Sequence, residues 1–312
     1  MLFVNFAAMK QADKQFHKKS LHNSDYDFPN LIKVNPDLEP LLFKNDYGNV
    51  SIDFSDRISV RELNKALLAF YYDVKHWNFP EDNLCPPIPG RVDYIHHLND
   101  LLTASSITEN INVLDIGTGA SCIYPLLGVS VCHWSFVGTD IDLDSLDSAQ
   151  DIIDDNDLDS KIKLRQQFDE NNILKGIIEA DDSFAAAMCN PPFYKSAEEA
   201  RGANRRKTRN LGTNAVRNFA GNNNELWYVG GEKAFLHNYL YQSSLFQKKC
   251  IWFTSLVSKK ENIESLQKSS KKLGVKEFKI IPMHQGNKVT RIVAWTFLTS
   301  QEHKGLGATQ KL

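Results

Sequence analysis

From residue 110 onwards, apolar residues fall in short runs separated by amphipathic stretches, the spacing of strands alternating with helices. Strands are expected at 111–116, 134–139, 161–166, 184–189 and 250–257. Helices are expected from about Ser121, at 143–154, 231–246 and 261–273, with a short one at 173–178. Two more apolar runs, 275–281 and 291–297, have no helix between them and read as an antiparallel hairpin at one edge. This alternation predicts an α/β fold with a doubly wound, seven-stranded, Rossmann-like sheet. Before residue 103 the pattern is mostly helical and interrupted. Pro36 and Pro40 cut the 31–43 stretch into short pieces. Ser59 and Glu62 have the spacing of a capping box that opens a helix to about Tyr72, with Leu63, Leu67 and Phe70 as its apolar stripe. Leu84-Cys-Pro-Pro-Ile-Pro-Gly90 reads as a stiff extended loop, followed by a helix over 91–102. The expected division is a flexible basic arm (1–25), a helical region (26–102) and the α/β domain (103–312).

The 184–189 strand runs into Asn190-Pro191-Pro192-Phe193. Neither proline can donate to a ladder, so the strand stops there. What remains is an amide carbonyl, a rigid turn and an aromatic ring at a strand's carboxyl end, where open α/β sheets bind ligands. Upstream, Val113-Leu-Asp-Ile-Gly-Thr-Gly119 places Asp115 in the first strand and Gly117 and Gly119 in the turn after it. Glycines there let the backbone approach a ligand closely. Cys122 stands where a dinucleotide fingerprint has its third glycine, which makes a dinucleotide fold the weaker reading. Asp115 suits an ammonium better than a pyrophosphate. Asp140, ending the second strand, can accept both hydroxyls of a ribose. Either aspartate could instead cap the helix that follows it. A lone Gly-x-Gly says little; the ordered set of Asp115, Gly117, Gly119, Asp140 and the Asn190 turn is specific.

Composition narrows the setting. No run approaches the roughly 20 apolar residues of a membrane span. The opening nine residues lack the charged segment of a signal peptide. Five scattered cysteines with no Cys-x-x-Cys pair indicate neither a zinc site nor a disulfide framework, and a reducing cytoplasm fits. The net charge of −2 conceals an asymmetry. Lys10, Lys14, Lys18 and Lys19 form one basic run; Arg201, Arg205, Arg206, Lys207 and Arg209 form a second, and residues 140–159 are acidic. One such run is ordinarily a solvated face. Two of them flanking one candidate site point to a polyanion. His96-His97 with Asp93 and Asp100 could suggest a metal, but adjacent histidines on a helix point apart, so packing or an RNA contact is expected. Cys189 reads as a small core residue. Trp227 and Tyr228 are left between ligand stacking and packing.

Together these features resemble the class I methyltransferases that use S-adenosyl-L-methionine. The tetrapeptide is similar to the (Asp/Asn)-Pro-Pro-(Tyr/Phe) motif of enzymes that methylate exocyclic or amide nitrogens. Four strings carry a closer resemblance over nearly the whole chain: Leu84-Cys-Pro-Pro-Ile-Pro-Gly-Arg-Val-Asp-Tyr-Ile-His-His-Leu98, Val113-Leu-Asp-Ile-Gly-Thr-Gly-Ala-Ser-Cys-Ile-Tyr-Pro-Leu-Leu-Gly128, Met188-Cys-Asn-Pro-Pro-Phe193 and Ile292-Val-Ala-Trp-Thr-Phe297. They resemble the RlmF-type ribosomal RNA adenine-N6 methyltransferases of bacteria, with the eukaryotic small nuclear RNA adenine-N6 methyltransferase as a more distant relative.

This resemblance implies 23S rRNA as substrate, free or in a large-subunit precursor, with no metal and no membrane. It implies Asn190, Pro191, Pro192 and Phe193 as the catalytic turn. For the cofactor it implies Arg91, Asp115, Gly117, Gly119, Asp140 and Asn190, and Asn171 falls where the family has a polar residue against the adenine. The helical region and the two basic runs would then contact RNA. Two other readings stay open. An Asn-Pro-Pro-aromatic turn also suits methylation of a protein glutamine amide, and an RNA-binding module that has lost catalysis would carry the same basic runs.

Overall fold

The computed structural model describes residues 16–196, 198–199, 226–285 and 288–303. Proline sets the first elements. α1 (Phe28–Val34) has Pro29 in its first turn and is capped by the Asp27 carboxylate; a 3-10 helix (Pro36–Leu41) follows. A hairpin then appears that the sequence pattern did not suggest, β1 (Leu42–Lys44) against β2 (Val50–Ile52), turned at Gly48.

α2 (Arg57–Tyr72) starts three residues earlier than a Ser59 cap would have it. Asp56 is the cap: its carboxylate accepts from Ser59 N at 2.8 Å and Ser59 Oγ at 2.6 Å. Glu62 is turned inward, where it accepts from Asn35 Nδ2 at 2.9 Å. Leu63 and Leu67 are buried, whereas Phe70 is exposed and Ala66 and Leu68 complete the stripe. α3 (Ile88–Ala104) takes in the end of the expected loop, because Pro89 fits a first helical turn, where no N–H is needed.

The large sheet contains β3 (Asn112–Ile116), β4 (Ser135–Asp140), β5 (Ile162–Gln166), β6 (Phe184–Cys189), β7 (Cys250–Val257), β8 (Glu277–Gln285) and β9 (Lys288–Thr296). Their order is β5-β4-β3-β6-β7-β9-β8. The first five are parallel, and β9 is antiparallel to both β7 and β8. Helices α4 (Ile123–Cys132), α5 (Leu143–Asp155), α6 (Gly231–Ser243) and α7 (Lys260–Lys272) connect the strands. β6 and β7 are buried along their whole length, as strands covered on both faces must be. Strand order reverses between β3 and β6, which opens a crevice at their carboxyl ends. The expected 173–178 helix is a series of turns.

The N-terminal region is continuous with the sheet rather than a separate body. One apolar cluster runs from Phe28, Leu31 and Leu38 through α2 and α3 to Val113, Phe136 and Trp252. Trp77 Nε1 donates to Ser121 O at 2.8 Å, tying the segment before α3 to the turn before α4. Within residues 16–25, expected to belong to a flexible arm, Ser20 and His22 are buried and His17 is held against α3, while Lys18, Lys19 and Leu21 are exposed. His17 N donates to Asp93 Oδ1 at 2.6 Å, and the His17 ring stacks on His96 and meets His97 edge-on. His22 is buried against Tyr72. No helix among the described residues is long and apolar enough to cross a membrane.

Candidate active site

The crevice holds a cavity of about 230 Å³. Its floor is the turn after β3, with Gly117, Thr118 and Gly119. Gly117 N and Thr118 N both donate to Thr139 O, at 2.8 and 2.9 Å, so the turn is folded back on the end of β4. Gly117 sits at φ +73°, and a side chain there would meet nothing within 4 Å. Conformation, not crowding, demands glycine at this point, and the space above it stays open to a ligand.

Asp140 closes this turn. Its Oδ2 accepts from Gly119 N at 2.9 Å and its Oδ1 from Asp142 N at 3.1 Å. The cap residue of α5 is Asp142, so Asp140 is not spent on a helix end. Each carboxylate oxygen keeps a lone pair for a ligand hydroxyl. Burial raises the Asp140 pKa, against the pull of its backbone partners.

Asp115 is fully buried, and the cap residue of α4 is Cys122, so Asp115 caps no helix. Its two oxygens have no partner within hydrogen-bond geometry, although the Thr118 hydroxyl lies close enough to oppose the pKa rise. Burial, with the Asp140 charge, raises this carboxyl to about 7; Arg91 pulls it the other way. Arg91, in the first turns of α3, donates to Tyr124 OH at 3.0 Å and lies 5.5 Å from that ring. Its Nε is buried with no partner among the described residues. Tyr124 is a site residue that pattern reading did not single out.

The acceptor side follows β6. Asn190 lines the cavity, with its Oδ1 buried and unpartnered. Pro191 is buried, and Pro192 lines the wall. Phe193 is 38% exposed and does not line the cavity. The chain beyond the turn is spliced to a distant segment: Phe193 N and Tyr194 N donate to Leu226 O, and Tyr228 N donates to Tyr194 O at 3.0 Å. This brings Trp227 and Tyr228 onto the cavity wall, with Trp227 Nε1 buried and unpartnered. Asn171 lines the opposite wall beside Gln167 and Ile173. Cys189 is buried in the strand and touches the cavity, its thiol pushed far up by burial and so not a nucleophile.

Arg91, Gly117, Gly119, Asp140, Asn171 and Asn190 therefore line one cavity, with Asp115 buried beside Arg91 and Asp140. Lys18 and Lys19 are exposed and do not line it, Lys19 pairing with Asp100 at 3.3 Å. Lys10, Lys14, Arg201, Arg205, Arg206, Lys207 and Arg209 lie outside the described residues. No cluster among the described residues could hold a metal ion.

A family model described as RNA methyltransferase matches residues 9–299. The chain belongs to this RNA methyltransferase family. The ribosomal RNA large subunit methyltransferase F of Shewanella denitrificans is 45% identical, across 96% of this chain and 88% of that protein. Its counterpart in Flavobacterium johnsoniae is 47% identical, across 92% and 95%. Among solved structures, the human METTL16 catalytic domain in complex with a MAT2A 3′UTR hairpin superposes with a TM-score of 0.79, at 29% identity over 91% of this chain and 96% of that one. The N-terminal domain of human METTL16 in complex with SAH gives 0.74 at 26% identity.

The RNA methyltransferase family assignment makes S-adenosyl-L-methionine the cofactor, and the residues fit it. The molecule carries an ammonium, a carboxylate and a ribose diol. Asp115 offers unsatisfied acceptors, Arg91 an unsatisfied donor with positive charge, and Asp140 a carboxylate beside an open glycine turn. This enzyme is a methyltransferase that uses S-adenosyl-L-methionine.

Proposed function

We propose that this enzyme, acting in the cytoplasm, methylates N6 of one adenine in 23S rRNA, free or in a large-subunit precursor. The observation that carries the reading is Asn190 Oδ1, a buried acceptor without a partner on the wall of the cofactor cavity. An adenine N6 amino group has two N–H donors and a lone pair delocalised into the ring. Asn190 Oδ1 and the Pro191 carbonyl are the two acceptors of the proposed turn. Accepting both N–H groups localises the nitrogen lone pair and orients it. The bound cofactor supplies an electrophilic methyl group on a sulfonium. A proton already on the amino nitrogen becomes acidic as that nitrogen is alkylated and is lost to solvent, so the turn needs no strong base.

A base that reaches this cavity must be out of its helical stack. Pro192, Trp227 and Tyr228 offer flat walls to it, and half-exposed Phe193 stands next in the chain. Arg91 and Asp115 would hold the amino-acid end of the cofactor, Gly117 and Gly119 would leave the backbone turn open to it, and Asp140 would accept from the ribose hydroxyls. Asn171 and Ile173, on the cavity wall, would receive the cofactor adenine. Lys18 and Lys19, with Lys10, Lys14, Arg201, Arg205, Arg206, Lys207 and Arg209, supply phosphate contacts.

The test is methyl transfer from labelled cofactor to naked 23S rRNA, assembled subunits, DNA and cell protein, with digestion to nucleosides and amino acids. Label is expected as N6-methyladenosine in rRNA. Label in methylglutamine or in DNA, with none in rRNA, refutes the reading. Asn190→Ala should abolish turnover and leave cofactor binding within a few-fold.

A further inference from the structure

One helix touches both sides of the cavity. α6 begins just after the Trp227–Val229 wall, and its last turns meet the loop that carries Asn171, Asn172 and Ile173. Two side chains on it, Asn238 and Gln242, are four residues apart and so lie on one face. Neither lines the cavity.

Gln242 is buried, and its Oε1 accepts from the backbone N–H groups of Ile173, Leu174 and Lys175 at 3.0, 2.9 and 3.2 Å. Its Nε2 donates to Asn171 O at 3.2 Å and to Asn238 Oδ1 at 3.0 Å. Asn238 spends its two N–H groups on different walls: Nδ2 donates to Asn171 O at 2.8 Å and to Tyr228 OH at 2.9 Å. Each amide has one workable orientation, since flipping either would set donor against donor. From Tyr228 the chain of bonds continues through Tyr228 N to Tyr194 O, and through Tyr194 N and Phe193 N to Leu226 O. The path from the cofactor-side loop to the residues after Asn190-Pro-Pro is unbroken.

We infer that Asn238 and Gln242 are positioning residues that fasten the cofactor-side loop to the acceptor turn, so that cofactor on one wall holds the other in its working geometry. Cofactor that settles against Asn171 and Ile173 restricts their loop. Asn238 then restricts Tyr228, and Tyr228 restricts Tyr194 and the turn before it. The coupling is one of rigidity along a hydrogen-bonded path. It rests on the cofactor and acceptor halves assigned above, but not on the identity of the acceptor.

Hydrogen exchange on the whole protein tests this without RNA. Saturating S-adenosylhomocysteine should slow exchange at the Phe193, Tyr194 and Tyr228 amides by about fivefold or more, the lower end of usual site-to-site coupling. In Asn238→Ala, calorimetry should show the ligand bound within about twofold of wild-type affinity, with no slowing at those amides. Tyr228→Phe keeps the ring and removes only the hydroxyl acceptor; it should lose the slowing too, and it serves if Asn238→Ala misfolds. In methyl transfer, both variants should lower kcat while the KM for cofactor stays nearly constant. Equal slowing in wild type and variants overturns the inference, as does an absence of slowing in wild type.

Discussion

Asp115→Asn should make the ligand-free protein more stable while destroying its capacity to bind cofactor. The wild-type carboxyl is fully buried, unsatisfied and raised to about 7 from an ordinary value near 3.8. A folded-state pKa above the unfolded one means that the folded protein holds its proton more tightly. The wild type therefore loses stability as pH rises between these two values, at about 1.4 kcal/mol per unit, or about 4 kcal/mol in all. An asparagine has no such cost. Against the variant, the wild-type melting midpoint should fall behind by about 3 °C per pH unit between pH 5 and 7, taking roughly 2 °C per kcal/mol for a chain of this size. Above about pH 7 the gap should stay constant. Thermal melts of both ligand-free proteins from pH 5 to 9 measure this directly. A gap that is independent of pH, or that closes as pH rises through 7, refutes the account of Asp115. In the presence of S-adenosylhomocysteine the order should reverse: the ligand protects the wild type and not the variant.

Other consequences can be measured with similar tools. Arg91→Ala should move the pH midpoint of that gap upward, because Arg91 holds the Asp115 carboxyl down; calorimetry should show a cofactor affinity lower by tenfold or more, on the order of a charge-assisted hydrogen bond. Gly128→Ala would place a methyl group 2.2 Å from the Phe136 ring, so soluble yield and melting point should drop by an amount typical of overpacking, about 1–3 kcal/mol. Glu232→Ala should destabilise by a similar amount, since this buried carboxylate accepts from Ser258 N, Ser258 Oγ and Asn262 Nδ2 at the start of α7; urea midpoints check it. His22 and His96 are both pushed down to about 4 by burial, so the unfolded chain takes up protons first; stability should decline as pH falls from about 6.5 through 4, and acid titration by circular dichroism reads the slope.

The parallel strands were legible because burial on both faces leaves continuous apolar runs, and β6 and β7 fall where those runs predict. The Asn190 turn and the Gly117 turn were legible because proline and glycine act on their own backbone. What escaped depended on partners distant in sequence. Residues 173–178 have the composition of a helix, but three consecutive amides there are taken by Gln242, about seventy positions away, which holds them in turns. Ser59 had the spacing of a cap, yet the helix begins one turn earlier: Asp56 accepts from Ser59 N and Ser59 Oγ, so Ser59 lies inside the first turn and its hydroxyl is a donor. Trp227 and Tyr228 could not be assigned from pattern, because it is the splice to Tyr194 that carries them to the cavity wall. Nothing in the local pattern marks Tyr124, because its partner Arg91 belongs to another helix.

The splice has an entropic consequence. Tyr194 and Leu226 are joined by a backbone hydrogen bond, so the two ends of the chain between them are held side by side next to the acceptor turn. The entropy of closing such an excursion grows only logarithmically, by about 0.6 kcal/mol for each doubling of its length. A change of length between those two anchors therefore bears on closure entropy far more than on the pairing that holds the Asn190 turn beside Leu226 and Tyr228.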